Sequence, residues 1–233
     1  MGRRPKRDWA QAAEQQQDIS LGWATLLAGL IITAFLFWKN GQPMDFAQYY
    51  LLNTALLLGA PLVLLLLFLK RDAAEFGMTP GDVRGGLVAA GVLFLLFCPV
   101  IFIVAGWRDS QTYYLGHMRA SGALVGAQFV WGGFLYHQTV LAFYMLAWEW
   151  YSRGFLLFGL KRLLPLWGAV LFQACAFALL HYRKPWPETV SSFFGALVMA
   201  YIAIRFRSFL PCFVLHFLIS LAFDLAVLYH FAR

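Results

Sequence analysis

The chain has 233 residues, 61% of them hydrophobic and 12% charged, with a formal net charge of +7. Soluble domains carry about 45–50% apolar residues, so this composition excludes one and reads as a polytopic membrane protein. The Lys and Arg residues sit mainly in short segments between apolar runs, which excludes a nucleic-acid patch and marks them as topology determinants beside anionic lipid.

Residues 1–20 carry Arg3, Arg4, Lys6 and Arg7 and then a polar Gln/Ala/Glu stretch. The charges stand too far from the first apolar run for a cleavable signal peptide, and no small-x-small site follows Trp38. Residues 21–38 therefore read as a retained anchor, with the basic N-terminus cytoplasmic. Further apolar runs cover residues 46–69, 85–106, 129–160, 166–182, 190–204 and 209–231. A crossing helix needs about 20 residues, so the pattern predicts an all-α polytopic membrane bundle of about seven spans, the sixth short and the fourth long enough to split.

Gly132-Gly133 and His137-Gln138 interrupt the apolar character near the start of the fourth run. Residues 72–83 read as a polar turn with a short interfacial helix, and residues 108–128 as an external loop. With the N-terminus inside, Lys70, Arg71, Arg84, Lys161, Arg162, Arg205 and Arg207 are cytoplasmic, while Lys39, Arg108, Arg119, Arg183, Lys184 and Arg233 are external. A bacterial inner (plasma) membrane is the expected location. Three parts result: a basic and polar segment (1–20), the first helices and loops (21–128) and a helical core that carries the chemistry (129–233). Cys98, Cys175 and Cys212 have no CxxC spacing and read as core residues.

The chemistry begins with Glu149 and Arg153, four residues apart on one helical face, where a carboxylate N-terminal to a cation pairs well. A charge at the middle of a bilayer helix costs about 2.5 to 3.5 kcal/mol on insertion scales, so charges held there are expected to be functional. Counted from the Lys161-Arg162 turn, Glu149 lies roughly 18 to 20 Å up its helix and His181 roughly 24 Å up the next; His216, counted from Arg207, lies roughly 14 Å up the last. All three fall near or above the middle of a core about 30 Å thick, where one cavity can gather them. His216, Ser220 and Asp224 form an i, i+4, i+8 stripe that must face protein or water.

The run Glu149-xxx-Arg153-Gly154, then Phe177-xxx-His181, then His216 resembles the CPBP family of intramembrane endopeptidases, which includes CAAX prenyl proteases and bacteriocin-processing proteins. The likeness spans residues 143–224. It implies an endopeptidase in which a glutamate and a histidine activate water, here Glu149 and His181. A second histidine with an asparagine stabilises the oxyanion, here His216 with Ser220 in the asparagine's place. The family has two adjacent glutamates, and this chain has Trp148 where the first would be. A single-Glu form with a His-x-x-Lys-Pro-x-x-Glu stretch is represented by His181, Lys184, Pro185 and Glu188.

Each residue also has a plainer reading. Glu149 and Arg153 read alternatively as an ion pair that pins two helices, with Arg153 orienting a carboxylate through its planar fork. His181 and His216 read alternatively as satisfied core histidines. Asp224 is a proton-relay acid, a metal ligand or the partner of a nearby cation, and Glu188 a helix-start carboxylate. Asn53 and Gln173 read as interhelical hydrogen-bonding residues, and Trp107 and Trp186 as interface anchors.

No cofactor is expected, although Glu149, His181, His216 and Asp224 would offer zinc a ligand set with an open water position. The expected partners are the lipid bilayer and a membrane protein or peptide substrate, with no nucleic acid. A non-catalytic scaffold that stabilises a stoichiometric membrane partner is the second reading. A proton-coupled transporter is the third, without the inverted repeat that many transporters carry.

Overall fold

A computed structural model describes residues 7–233, with side chains from residue 11 on. Arg3, Arg4 and Lys6 lie outside the described residues. The protein is an all-α membrane bundle, and its β structure among the described residues is one two-stranded hairpin, β1 (Leu124–Val125) and β2 (Gln128–Phe129). Among the described residues, five helices are long and apolar enough to cross a bilayer: Gln11–Lys39, Phe46–Phe68, Val83–Ala105, Trp186–Phe206 and Leu210–Phe231.

Helix α1 (Arg7–Lys39) is continuous through residue 20, so the polar segment and the anchor form one rod. The second apolar run is α2 (Phe46–Thr54) and α3 (Ala60–Val63) with π-helical turns at Ala55–Gly59 and Leu64–Phe68. Asp45 starts it with a capping box, accepting from the Gln48 amide at 2.8 Å. The polar turn that follows holds one short 3-10 helix, Ala73–Phe76. Helix α4 (Val83–Ala105) carries Pro99 in its interior, which removes one backbone donor and opens the ladder opposite Leu95.

The expected external loop is largely ordered: α5 (Arg108–Ala120) and the hairpin occupy it. Loop composition hid this helix because its apolar face is short and its exposed face carries Arg108, Thr112 and Arg119. The fourth run starts at Trp131 rather than 129 and does not split. It is α6 (Trp131–Glu149), a π-helical segment (Trp150–Leu156) and α7 (Leu157–Leu160) in one column. Helix α8 (Leu166–Leu180) is shorter; α9 (Trp186–Phe206) and α10 (Leu210–Phe231) complete the bundle.

Residues 147–160 are buried without exception. A helix apolar on nearly every side belongs in a core, and this column is the one the others surround. Helix α1 packs on it through Gly29, where an added Cβ would lie 2.6 Å from Leu156 Cδ2. Tyr151 fixes the same contact, its hydroxyl 2.8 Å from both the Gly29 carbonyl and Thr33 Oγ1. At the Lys161 end, Arg162 bonds Asp18 and Glu75, and Arg71 joins Glu75 at 2.7 Å, tying α1 to the two adjoining turns.

The intramembrane amides act as expected. Asn53 exchanges hydrogen bonds with Asn40 at 2.9 and 3.0 Å, and Gln173 donates to the Ala196 carbonyl of α9 at 3.1 Å. Trp107 and Trp186 are exposed and lie 5.7 Å apart at one end of the bundle. Of the three free cysteines only Cys212 is a core residue; Cys98 is half-buried and Cys175 faces outward.

Candidate active site

The π-helical segment positions the charged pair. Its hydrogen bonds run i to i+5, a widened turn that is common at functional sites. Gly154 lets it sit in the core, since a Cβ there would stand 2.7 Å from the Trp150 ring and 3.0 Å from the Phe76 carbonyl oxygen. Arg153 Nη1 lies 3.2 Å from each carboxylate oxygen of Glu149, and both side chains are fully buried. Nε and Nη2 of Arg153 have no hydrogen-bond partner among the described residues. The guanidinium instead stands 4.1 Å over the Phe177 ring, a cation–π contact in a desolvated setting.

Glu149 meets His216 rather than His181. Its Oε1 accepts from His216 Nδ1 at 2.6 Å across from α10. The resemblance implies that Glu149 and His181 activate water together; in the structure the histidine that Glu149 touches is His216. His181 caps α8, and its Nδ1 donates to the Phe177 carbonyl at 2.8 Å. A carbonyl only accepts, which fixes the proton on Nδ1 and makes Nε2 the acceptor.

Aromatic packing holds the His181 ring, with Phe177 stacked at 4.3 Å and Trp148 edge-on at 4.7 Å. Trp148, in the position of the family's first glutamate, is thus a wall for His181. The His181 and His216 rings are stacked 6.4 Å apart. Among the described residues neither Nε2 has a protein partner.

Both histidines line a cavity of about 220 Å³ with Phe177, Ser220 and Glu188. Its far wall is apolar, formed by Phe97, Val100 and Val104 of α4 and Val198 and Met199 of α9. Val100 of α4 and Val198 of α9 both line this wall and are exposed. Glu149 lies behind His216 and does not line the cavity. Ser220 Oγ has only the Met145 sulfur at 3.9 Å, which leaves the hydroxyl free to donate into the cavity.

The remaining predicted residues lie higher, toward the Lys184 end. Asp224 is buried and accepts from Gln138 Nε2 at 2.7 Å, with His137 Nε2 at 3.2 Å; His137 Nδ1 lies 3.0 Å from Ser121 Oγ. This network ties α5, α6 and α10 together and answers the question of Asp224's partner. In the sequence His137-Gln138 marks an interruption of the apolar run, and two adjacent polar residues in an apolar helix require such a partner. Glu188 is paired with Lys184 at 2.6 Å and hydrogen-bonded by the Tyr114 hydroxyl.

Burial holds the Tyr114 and Tyr113 hydroxyls well above the ordinary tyrosine range, with Glu188 adding to the shift, so both stay protonated donors. Zinc fits this arrangement poorly. Among the described residues no three His, Cys, Asp or Glu side chains gather closely enough to hold a metal ion, and Glu149 is committed to Arg153 and His216.

Residues 131–222 match the family described as type II CAAX prenyl endopeptidase Rce1-like, a match over about two fifths of the chain. No curated protein matches the chain, and no solved structure matches it. The matched span holds Glu149, Arg153, Phe177, His181, Glu188, His216 and Ser220; Asp224 falls just beyond it.

Proposed function

Taking the Rce1-like region as the premise, we propose that the protein is an intramembrane endopeptidase that cleaves a membrane-associated protein or peptide by water activated between His216 and His181. The observation that carries this reading is the Glu149–His216 contact of 2.6 Å directly behind a cavity that both histidines line.

His216 Nδ1 donates to Glu149, so its Nε2 is a base facing the cavity, and His181 Nε2 is a second acceptor. A water donating one hydrogen to each ring keeps its lone pairs for the substrate carbonyl. As water attacks, His216 takes its proton, and Glu149 steadies the imidazolium as an orienting carboxylate does in a catalytic triad. The Ser220 hydroxyl donates to the oxyanion, an interaction worth more in a water-poor cavity than in bulk solvent. His216 then returns the proton to the leaving amine. Arg153 positions Glu149, while Phe177 and Trp148 fix the two rings.

The substrate enters between α4 and α9, where an extended or unwound segment finds apolar walls. No step in this reading passes through a metal. We place the protein in a bacterial plasma membrane with the N-terminus and the Lys161 end cytoplasmic, a reading supported by the basic residues at that end.

The test is a quantitative survey of protein termini in the host's membrane and secreted fractions, comparing wild type, deletion and Glu149→Gln at equal protein level. Termini lost in both the deletion and Glu149→Gln identify the substrate and support the proposal. Termini fully restored by Glu149→Gln refute catalysis through Glu149. A second reading, a scaffold that stabilises a membrane partner, is favoured by Trp148 in place of a carboxylate. It predicts that restoration together with a stoichiometric copurifying protein.

A further inference from the structure

The apolar wall that α4 and α9 give the cavity is a poor source of water. Phe97, Val100, Val104 and Val198 offer no hydrogen-bond partner, and a water needs two to four of them to be held in a buried place. Hydrolysis consumes one water per turnover, so a supply from elsewhere is required.

Two further cavities lie in line toward the Lys184 end. A small one of about 30 Å³ is lined by Tyr49, Tyr50, Tyr144, His137 and Asp224 together with the Tyr114 and Ser220 side chains that also line the histidine cavity. About 10–15 Å³ holds one water, so this space takes about two. A wider one of about 460 Å³ is reached past Tyr113, His117 and Lys184, which line both, and ends at Gln42, Gly116 and Arg183 on the surface. Hydroxyl, imidazole, ammonium and carboxylate groups therefore line both cavities, and the shared Tyr114 and Ser220 side chains join them to the histidine cavity.

We infer that water reaches His181 and His216 from the Lys184 end through this tyrosine-lined passage, separate from the substrate's lipid-side entry, with the Tyr114–Glu188 hydrogen bond as its inner constriction. Tyr114 stands where the passage meets the histidine cavity, and Lys184 holds the other oxygen of Glu188 at 2.6 Å. Helix α5 roofs the passage, supplying Tyr113, Gly116 and His117. The inference rests on the proposed role of the histidines only for its purpose; the passage itself is tested without proteolysis.

The experiment measures reaction of Ser220→Cys with Ag⁺, a membrane-impermeant, thiol-reactive cation of about the size of a water molecule, in proteoliposomes, with Cys98, Cys175 and Cys212 replaced. Gly116→Trp is the plug, since a Cβ at Gly116 meets nothing within 4 Å and the indole projects into the outer cavity. Gly116→Ser is the small control. The expected result is labelling from the Lys184 face that slows at least tenfold with Gly116→Trp, stays unchanged with Gly116→Ser and quickens at least threefold with Tyr114→Phe. Absence of labelling, or a rate indifferent to Gly116→Trp and Tyr114→Phe, overturns the passage. A protein that labels as expected but cleaves nothing keeps the passage and loses the protease.

Discussion

Arg153→Met isolates what holds the site together. The guanidinium is fully buried and 3.2 Å from both oxygens of Glu149, with Phe177 4.1 Å beneath it. The methionine fills much of the volume but leaves the Glu149 carboxylate buried without its cation. Removing one partner of a buried pair costs about 3–5 kcal/mol, and the lost cation–π contact adds about 0.5–2 kcal/mol. The expected loss is about 3–6 kcal/mol, the sum of those two ranges lowered for the apolar contacts methionine retains.

Glu149→Gln strands the guanidinium in the same way. The double variant Glu149→Gln/Arg153→Met strands neither, so it should be more stable than either single variant. Reversible unfolding in mixed micelles, followed by Trp fluorescence and tracked as a double-mutant cycle, measures all three. A loss below about 1 kcal/mol for Arg153→Met, or additive costs in the cycle, would refute the claim that the pair is closed and desolvated.

Other expectations follow from packing and charge. Gly29→Leu drives a side chain into Leu156 and should destabilise by about 1–3 kcal/mol. Gly91→Ala, with nothing within 4 Å of the added Cβ, should be neutral or stabilising by up to about 1 kcal/mol; the same unfolding assay ranks both. His117 sits on the extramembrane helix α5, and burial lowers its pKa from 6.5. The unfolded chain then binds the extra proton first, so this contribution is intact above pH 6.5 and is lost as pH falls through the lower folded value. His117→Gln should flatten the fall in Tm between pH 7 and 5; an unchanged slope contradicts it. A strong chelator such as phenanthroline should leave cleavage of a substrate found in the termini survey unchanged, because no step uses a metal.

The parts of the fold that hydropathy governs were legible. Residues 85–106 and 209–231 map onto α4 and α10 within a few positions because lipid demands long apolar helices. What hydropathy does not encode was missed. The π turn at Trp150–Leu156 leaves no periodic mark, since every position in it is buried and no polar face reports the phase. Helix α5 has the composition of a loop because only Ser110, Leu115 and Met118 of its thirteen residues are buried.

The candidate site was legible as a set of residues at similar depth, through charges that a bilayer penalises. Which residue touches which was not, because a few tens of degrees of helix rotation decide whether Glu149 meets His181 or His216. His137 and Gln138 carry a readable signal, two polar neighbours inside an apolar helix, and their partner Asp224 carries another as an acid within an apolar run. Glu188 likewise had Lys184 at i−4, a pairing the spacing alone indicates.

The most direct measurement is cleavage of an identified substrate by purified protein in nanodiscs containing H₂¹⁸O, with wild type, Glu149→Gln, His216→Gln and the double variant. Wild type should place one ¹⁸O in each new carboxyl terminus, and each single variant should lower kcat at least a thousandfold. The double variant should be no slower than the singles, as expected of residues acting as a unit. Cleavage by His216→Gln at the wild-type rate, or losses that multiply in the double variant, would contradict a Glu149–His216 dyad that activates water.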